Sequence, residues 1–219
     1  MAPRPPLILD LAAEHVPATL LRQQRLAKVI GDAIVDVDLS AGLARFGSGL
    51  AFPMQLVGSV VDAAETFTWA WAAPDAAPAP MLTGVQALRE YGQQHDVPEL
   101  TEAVWHTADV DPFLLAAIAR GWTQADAMYR APVPGGAVYL LLGDVPLPPP
   151  DAHQLTQALT TGIAMAPMDH RTATMSLFAD NNLGVTGMDE LLVATVGQSA
   201  VTVAFTTQGR IADVQVSHL

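Results

Sequence analysis

The chain contains no cysteine. Disulfides, thiolate metal sites and a cysteine nucleophile are excluded together, and the absence suits a reducing cytosol. Basic residues are scarce as well: 10 Lys and Arg stand against 22 Asp and Glu, a net charge of −12. A chain so charged repels phosphate backbones and anionic membrane surfaces, which argues against nucleic acid and membranes as partners. The partner that charge favours is a basic protein met under electrostatic steering. No segment approaches the roughly 20 apolar residues of a membrane span. The first ten residues hold one Arg and three prolines, with too short an apolar stretch for a signal peptide. The expected location is the cytoplasm. Catalytic signatures are missing too. Gly47-Ser48-Gly49 lacks the spacing of a hydrolase nucleophile turn, and there is no phosphate-cradling glycine loop, no Gly-x-Gly-x-x-Gly and no His-Glu-x-x-His.

What is present is an apolar chain, 51% hydrophobic and 15% charged, a balance that builds a core and argues against disorder. With 219 residues it can form one large domain or two small ones. A helix is expected over 19–30, where Leu20, Leu26, Ala27 and Ile30 share a flank. Residues 34–39 and 43–47 read as a hairpin whose loop, Ser40-Ala41-Gly42, places Gly where positive φ is needed. A second pair, 55–61 and 66–73, ends at the proline-rich segment 74–80. Thr83 and Gln86 suggest a capping box for the next helix. Asp111-Pro112 starts another, with Leu114, Ile118 and Trp122 as its core stripe. Strands are expected over 125–130 and 137–142, the second apolar on both faces and therefore central. Beyond the prolines of 146–150, Asp151 and Asp169 cap two helices, and 200–206 with 211–217 close the chain as a hairpin. Helices and hairpins are segregated, so the expected class is α+β: an antiparallel sheet of hairpins packed against several helices. The expected organisation is a domain over 1–145, with 146–219 packed on the same core.

Few residues carry a chemical signal. If 66–73 is a strand throughout, Trp69 and Trp71 lie side by side on one face, either as part of a core or as the floor of a binding site. His106 with Asp109 and Asp111 has the composition of a metal or acid–base cluster, but Asp111 is explained as a helix cap. One His and one Asp are too few for zinc, and no metal or other cofactor is expected. Asp169-His170-Arg171 holds the parts of a charge relay, yet adjacent helical residues diverge by about 100°. Tyr139 adds a phenol on the central strand.

Leu56-Val57-Gly58-Ser59 and Trp69-Ala70-Trp71-Ala72, together with Tyr129-Arg130-Ala131-Pro132 and Val138-Tyr139-Leu140-Leu141, resemble a bacterial family of uncharacterised proteins, a domain of unknown function with a Trp-x-Trp-Ala motif. The resemblance covers roughly 20–145. Its members usually carry Asn after the motif, where this chain has Ala73. The resemblance implies no activity, cofactor or catalytic residue. Two functional expectations follow. The first is a non-enzymatic cytoplasmic protein of immunity or adaptor type, acting through a basic protein partner. The second is a small-molecule-binding or enzymatic protein with a pocket beside Trp69 and Trp71, to which His106, Asp109 or Tyr139 contribute polar groups.

Overall fold

Helix α1 runs Leu7–Ile30, beginning well before the stripe in 19–30. Pro17 lies inside it, where a proline removes one backbone donor and crowds the preceding turn. Burial of Leu11, Ala12, Val16 and Leu21, none more than 4% exposed, outweighs that local cost. The computed structural model describes residues 7–73, 75, 77–188 and 190–219. It falls into two units, one of Leu26–Leu147 and one of the residues up to Arg25 with Pro148–Leu219. The division crosses α1 and lies among the prolines that follow residue 145.

The first unit is built on a seven-stranded antiparallel sheet. Strands β1 (Val35–Asp38) and β2 (Leu43–Phe46) form the expected hairpin, with Gly42 at φ 66°. Asp38 closes the loop by accepting from the Ser40 hydroxyl (2.7 Å) and the Ala41 amide (3.0 Å). These hydrogen bonds, with a smaller contribution from Arg45, hold its pKa below the usual carboxylate value. Strand β3 (Leu50–Val61) is the spine of the sheet. Its first residues pair with β2, and from Met54 onward it pairs with the later strand β7 (Gly136–Leu142). Pro53, which has no N–H to give, sits where β3 changes partners. Near its end β3 also pairs with β4 (Thr66–Trp69).

Strand β4 stops at Trp69, and Ala70–Ala72 form a 3₁₀ turn. The expectation of one strand over 66–73 is therefore corrected, and with it the idea that Trp69 and Trp71 share a strand face. Helix α2 (Thr83–His95) begins where expected, but Thr83 and Gln86 form no capping box. The Thr83 hydroxyl donates to the Pro80 carbonyl instead, and the Gly84 amide donates to the side-chain oxygen of Gln55 at 2.9 Å. A residue of β3 thus caps the helix across space.

Helix α3 (Pro98–Thr101) and strand β5 (Val104–His106) fill the segment whose pattern is ambiguous. Asp111 caps α4 (Pro112–Thr123) through the Phe113 amide at 2.8 Å, as expected. The buried side of α4 carries Leu115, Ile118 and Ala119, while Trp122 is 37% exposed and leans on Tyr91 at 4.4 Å between centroids. Of the expected stripe, Ile118 therefore lies in the core, while Leu114 is half-buried and Trp122 sits at the edge of the helix's buried side. Strands β6 (Ala127–Val133) and β7 (Gly136–Leu142) follow. Strand β7 lies between β3 and β6, the central position its two-sided apolar sequence indicates.

In the second unit, Asp151 and Asp169 cap α5 (Ala152–Met165) and α6 (His170–Asp180) as expected. Strands β8 (Val185–Met188), β9 (Leu191–Val196), β10 (Ser199–Phe205) and β11 (Ile211–His218) form a separate four-stranded antiparallel sheet. The first two lie where the sequence pattern is silent. Val201, Val203 and Phe205 are buried together with Leu155, Leu159 and Phe178 of the helices. Arg22 of α1 reaches Asp180 at 2.6 Å, and Arg25 donates to the Asn181 side chain at 3.0 Å. Both units are α+β.

His170 makes this second unit pH-sensitive. Its Nδ1 accepts the Ile211 amide at 3.1 Å, a role open only to an unprotonated Nδ1. Burial first, and Arg210 second, lower its pKa below the ordinary 6.5, against a smaller opposing pull from Asp169. Lowered in the folded state, the group contributes stability that is present above the unfolded value and lost as pH falls below it. Between pH 7.5 and 5.5 the wild-type melting temperature should fall further than that of His170→Asn, whose amide oxygen accepts the same hydrogen bond without titrating. Circular dichroism melts measure this, and equal falls in both proteins would refute it.

Candidate functional site

The two faces of the large sheet have different chemistry. Residues directly opposite one another on neighbouring strands point to the same side. Trp69 of β4, Gly58 of β3 and Tyr139 of β7 stand in register, as do Phe67 and Trp105. This is the helix-covered face. Trp69 is 1% exposed, and its indole nitrogen donates to the Glu99 carbonyl of α3 at 3.0 Å. Phe67 meets Trp69 edge to face at 5.2 Å and Tyr139 at 6.2 Å. Desolvation raises the Tyr139 phenol above its ordinary pKa, against an opposing effect of Arg130.

On the other face Thr68, Ser59, Val138 and Ala131 form a row across β4, β3, β7 and β6. A β-bulge brings Leu56 into line with it. The β3–β7 register shifts between Leu56 and Gly58, so Leu56 and Ser59, three positions apart, face the same way. Beneath this row lies a cavity of about 340 Å³. Leu56, Val138 and Ala131 line it from the sheet, and Val37 and Leu39 from the first hairpin. Ala70, Ala73 and Ala77 line it from the segment after Trp69. Leu39 and Val133 are 39% and 41% exposed, which places the mouth at these two residues. Among the described residues, none of the lining side chains is ionisable. The polar side chains at the wall, among the same residues, are Ser59 and Thr68; the Trp69 indole points to the helix-covered face, where it is bonded to Glu99. Among the described residues neither hydroxyl has a hydrogen-bond partner.

Of the residues singled out from the sequence, only Trp69 belongs to this wall. Trp71 is buried on its 3₁₀ turn under the Arg89 guanidinium, 4.0 Å from the ring centroid. His106 ends β5 and Asp109 lies in the turn after it, both exposed, with the Asp109 amide donating to the His106 carbonyl at 3.0 Å. Tyr139 points to the opposite face from Val138. The structure does not gather these five residues into one site. The residues that do converge, Ser59 and Thr68 above all, carry no sign of a shared site in the sequence, although Ser59 lies in a segment of the family resemblance, because only strand register and the bulge bring them together.

A second cleft of about 410 Å³ lies by Gln55, Gln124, Asp126 and Asp144. Three of these residues serve the fold: Gln55 caps α2, Asp126 accepts the Val145 amide at 3.2 Å, and Gln124 is the C-cap of α4. Among the described residues, no group of three or more metal-ligating side chains occurs, and no helix is long and apolar enough to cross a membrane.

Fold and cavity together define an α+β domain with an apolar chamber on the open side of its antiparallel sheet. Residues 9–145, well over half of the chain, match the family of unknown function DUF6882, and the chain belongs to that family. No curated protein and no solved structure matches it.

Proposed function

We propose that this chain is a binding protein, not an enzyme, and that its ligand is a small, largely apolar molecule held in the cavity beside Trp69. The observation that carries the reading is the cavity itself. Its volume of about 340 Å³ lies within the range of ligand sites, roughly 300–1,000 Å³. Among the described residues its wall offers burial and two free hydroxyls, but no acid, base or nucleophile–base pair of the kind catalysis uses. The other expectation, an adaptor-type protein with a basic partner, draws on the net charge of −12 and predicts capture that weakens as salt rises.

The cavity reading is tested by filling the cavity from within. A ligand that binds only the folded state raises the melting temperature. Small apolar compounds should therefore stabilise the wild type, and Ala131→Phe, which projects a ring into the chamber, should abolish the shift while keeping the fold. A panel that shifts neither protein, or both alike, contradicts the proposal.

A further inference from the structure

We infer that the ligand of this cavity is electrically neutral and carries a single polar group, anchored between the Ser59 and Thr68 hydroxyls. This rests on the cavity reading above and deepens it. Ser59 and Thr68 face each other across β3 and β4, at the distance where cross-strand side chains share one partner. Each hydroxyl can donate and accept, so the pair suits an alcohol, ketone or amide equally well.

The rest of the wall argues against charge. Among the described residues, no Lys, Arg or His lines the cavity to compensate an anion, and no Asp or Glu to compensate a cation. An ion moved there loses its hydration without an opposite charge in return. The excess of acidic residues over the whole chain makes a carboxylate less welcome still. The paired hydroxyls serve a complementary end. Placed in an apolar wall, they reward a ligand that has a polar group at one point and penalise one that leaves them dry.

Calorimetric titration of the full chain at pH 8 with four probes tests this: toluene, 1-octanol, octanoate and octylammonium. The last three share a tail and differ in the charge of the head. The expected result is that toluene and 1-octanol bind, with 1-octanol at least about tenfold tighter than either ion. In the double variant Ser59→Ala, Thr68→Val, 1-octanol should weaken about tenfold while toluene binds at least as tightly as to the wild type. Octanoate or octylammonium binding as tightly as 1-octanol overturns the inference and leaves the cavity reading standing. So does 1-octanol binding that the double variant leaves unchanged. If neither toluene nor 1-octanol binds the wild type, the cavity reading fails and this inference with it. The head-group comparison needs only wild-type protein, so it decides the matter even if the double variant does not fold.

Discussion

Gly58→Ala should destabilise the first unit by about 1–3 kcal/mol, toward the upper end of the range for overpacked positions. Gly58 stands opposite Trp69 in the β3–β4 ladder. A Cβ built on it comes within 2.5 Å of both the Phe67 Cζ and the Thr68 carbonyl oxygen. The aromatic ring could turn aside, but the carbonyl is backbone in a strand and cannot yield without loosening the ladder. Hydrogen here is therefore what lets Phe67 fold down between Trp69 and Tyr139. The chain's four tryptophans, Trp69, Trp71, Trp105 and Trp122, all fall within Leu26–Leu147, so fluorescence in a urea titration reports this unit. A lowered midpoint with an unchanged slope is the expected outcome. A change under about 0.5 kcal/mol, as at ordinary surface sites, would show that no such close approach exists.

Trp69→Ala should cost about 3–5 kcal/mol, the range for a large aromatic side chain removed from a core. The ring is 1% exposed, meets Phe67 edge to face, and gives its N–H to the Glu99 carbonyl at 3.0 Å. Truncation removes burial and leaves that carbonyl without its donor. Trp69→Phe separates the two contributions: it keeps most of the ring and loses the hydrogen bond, for about 1–3 kcal/mol. Trp71→Ala should cost less than Trp69→Ala. Trp71 is 9% exposed and partly covered by the long side chain of Arg89, which can settle into the space left behind. The order of the two alanine variants, read from urea midpoints, is the discriminating quantity. A Trp69→Ala cost below about 1 kcal/mol, typical of a surface change, would remove Trp69 from the core.

These two residues also bear on what a sequence can say about such a fold. Gly58 and Trp69 belong to the two segments that carry the family resemblance, and the structure sets them face to face. The resemblance therefore marks the packing that holds β3 against β4. Local signals were legible where local chemistry decides the outcome. Asp111, Asp151 and Asp169 each cap the helix they precede, because an aspartate bonds amides two or three residues onward wherever a helix begins. Strand β7 is central because its apolar residues occupy both faces. Long-range events were not legible. Gln55 caps α2 from another strand, and the 3₁₀ turn after Trp69 separates a tryptophan pair that alternation alone would join. The cavity illustrates the same limit. Its row of Thr68, Ser59, Val138 and Ala131 exists only once four strands are in register. The bulge before Gly58 shifts the phase of β3, so simple alternation puts Leu56 and Ser59 on opposite faces.

The central claim is that the chamber on the open face of the first unit takes an apolar ligand. Methyl-resolved NMR during a titration with 1-octanol tests it most directly. The predicted result is a saturable shift of the Val37, Leu39, Leu56, Val133 and Val138 methyls, the side chains that line the cavity, and its loss in Ala131→Phe. Shifts spread over other methyls, or none at these five residues at saturating probe, would contradict it.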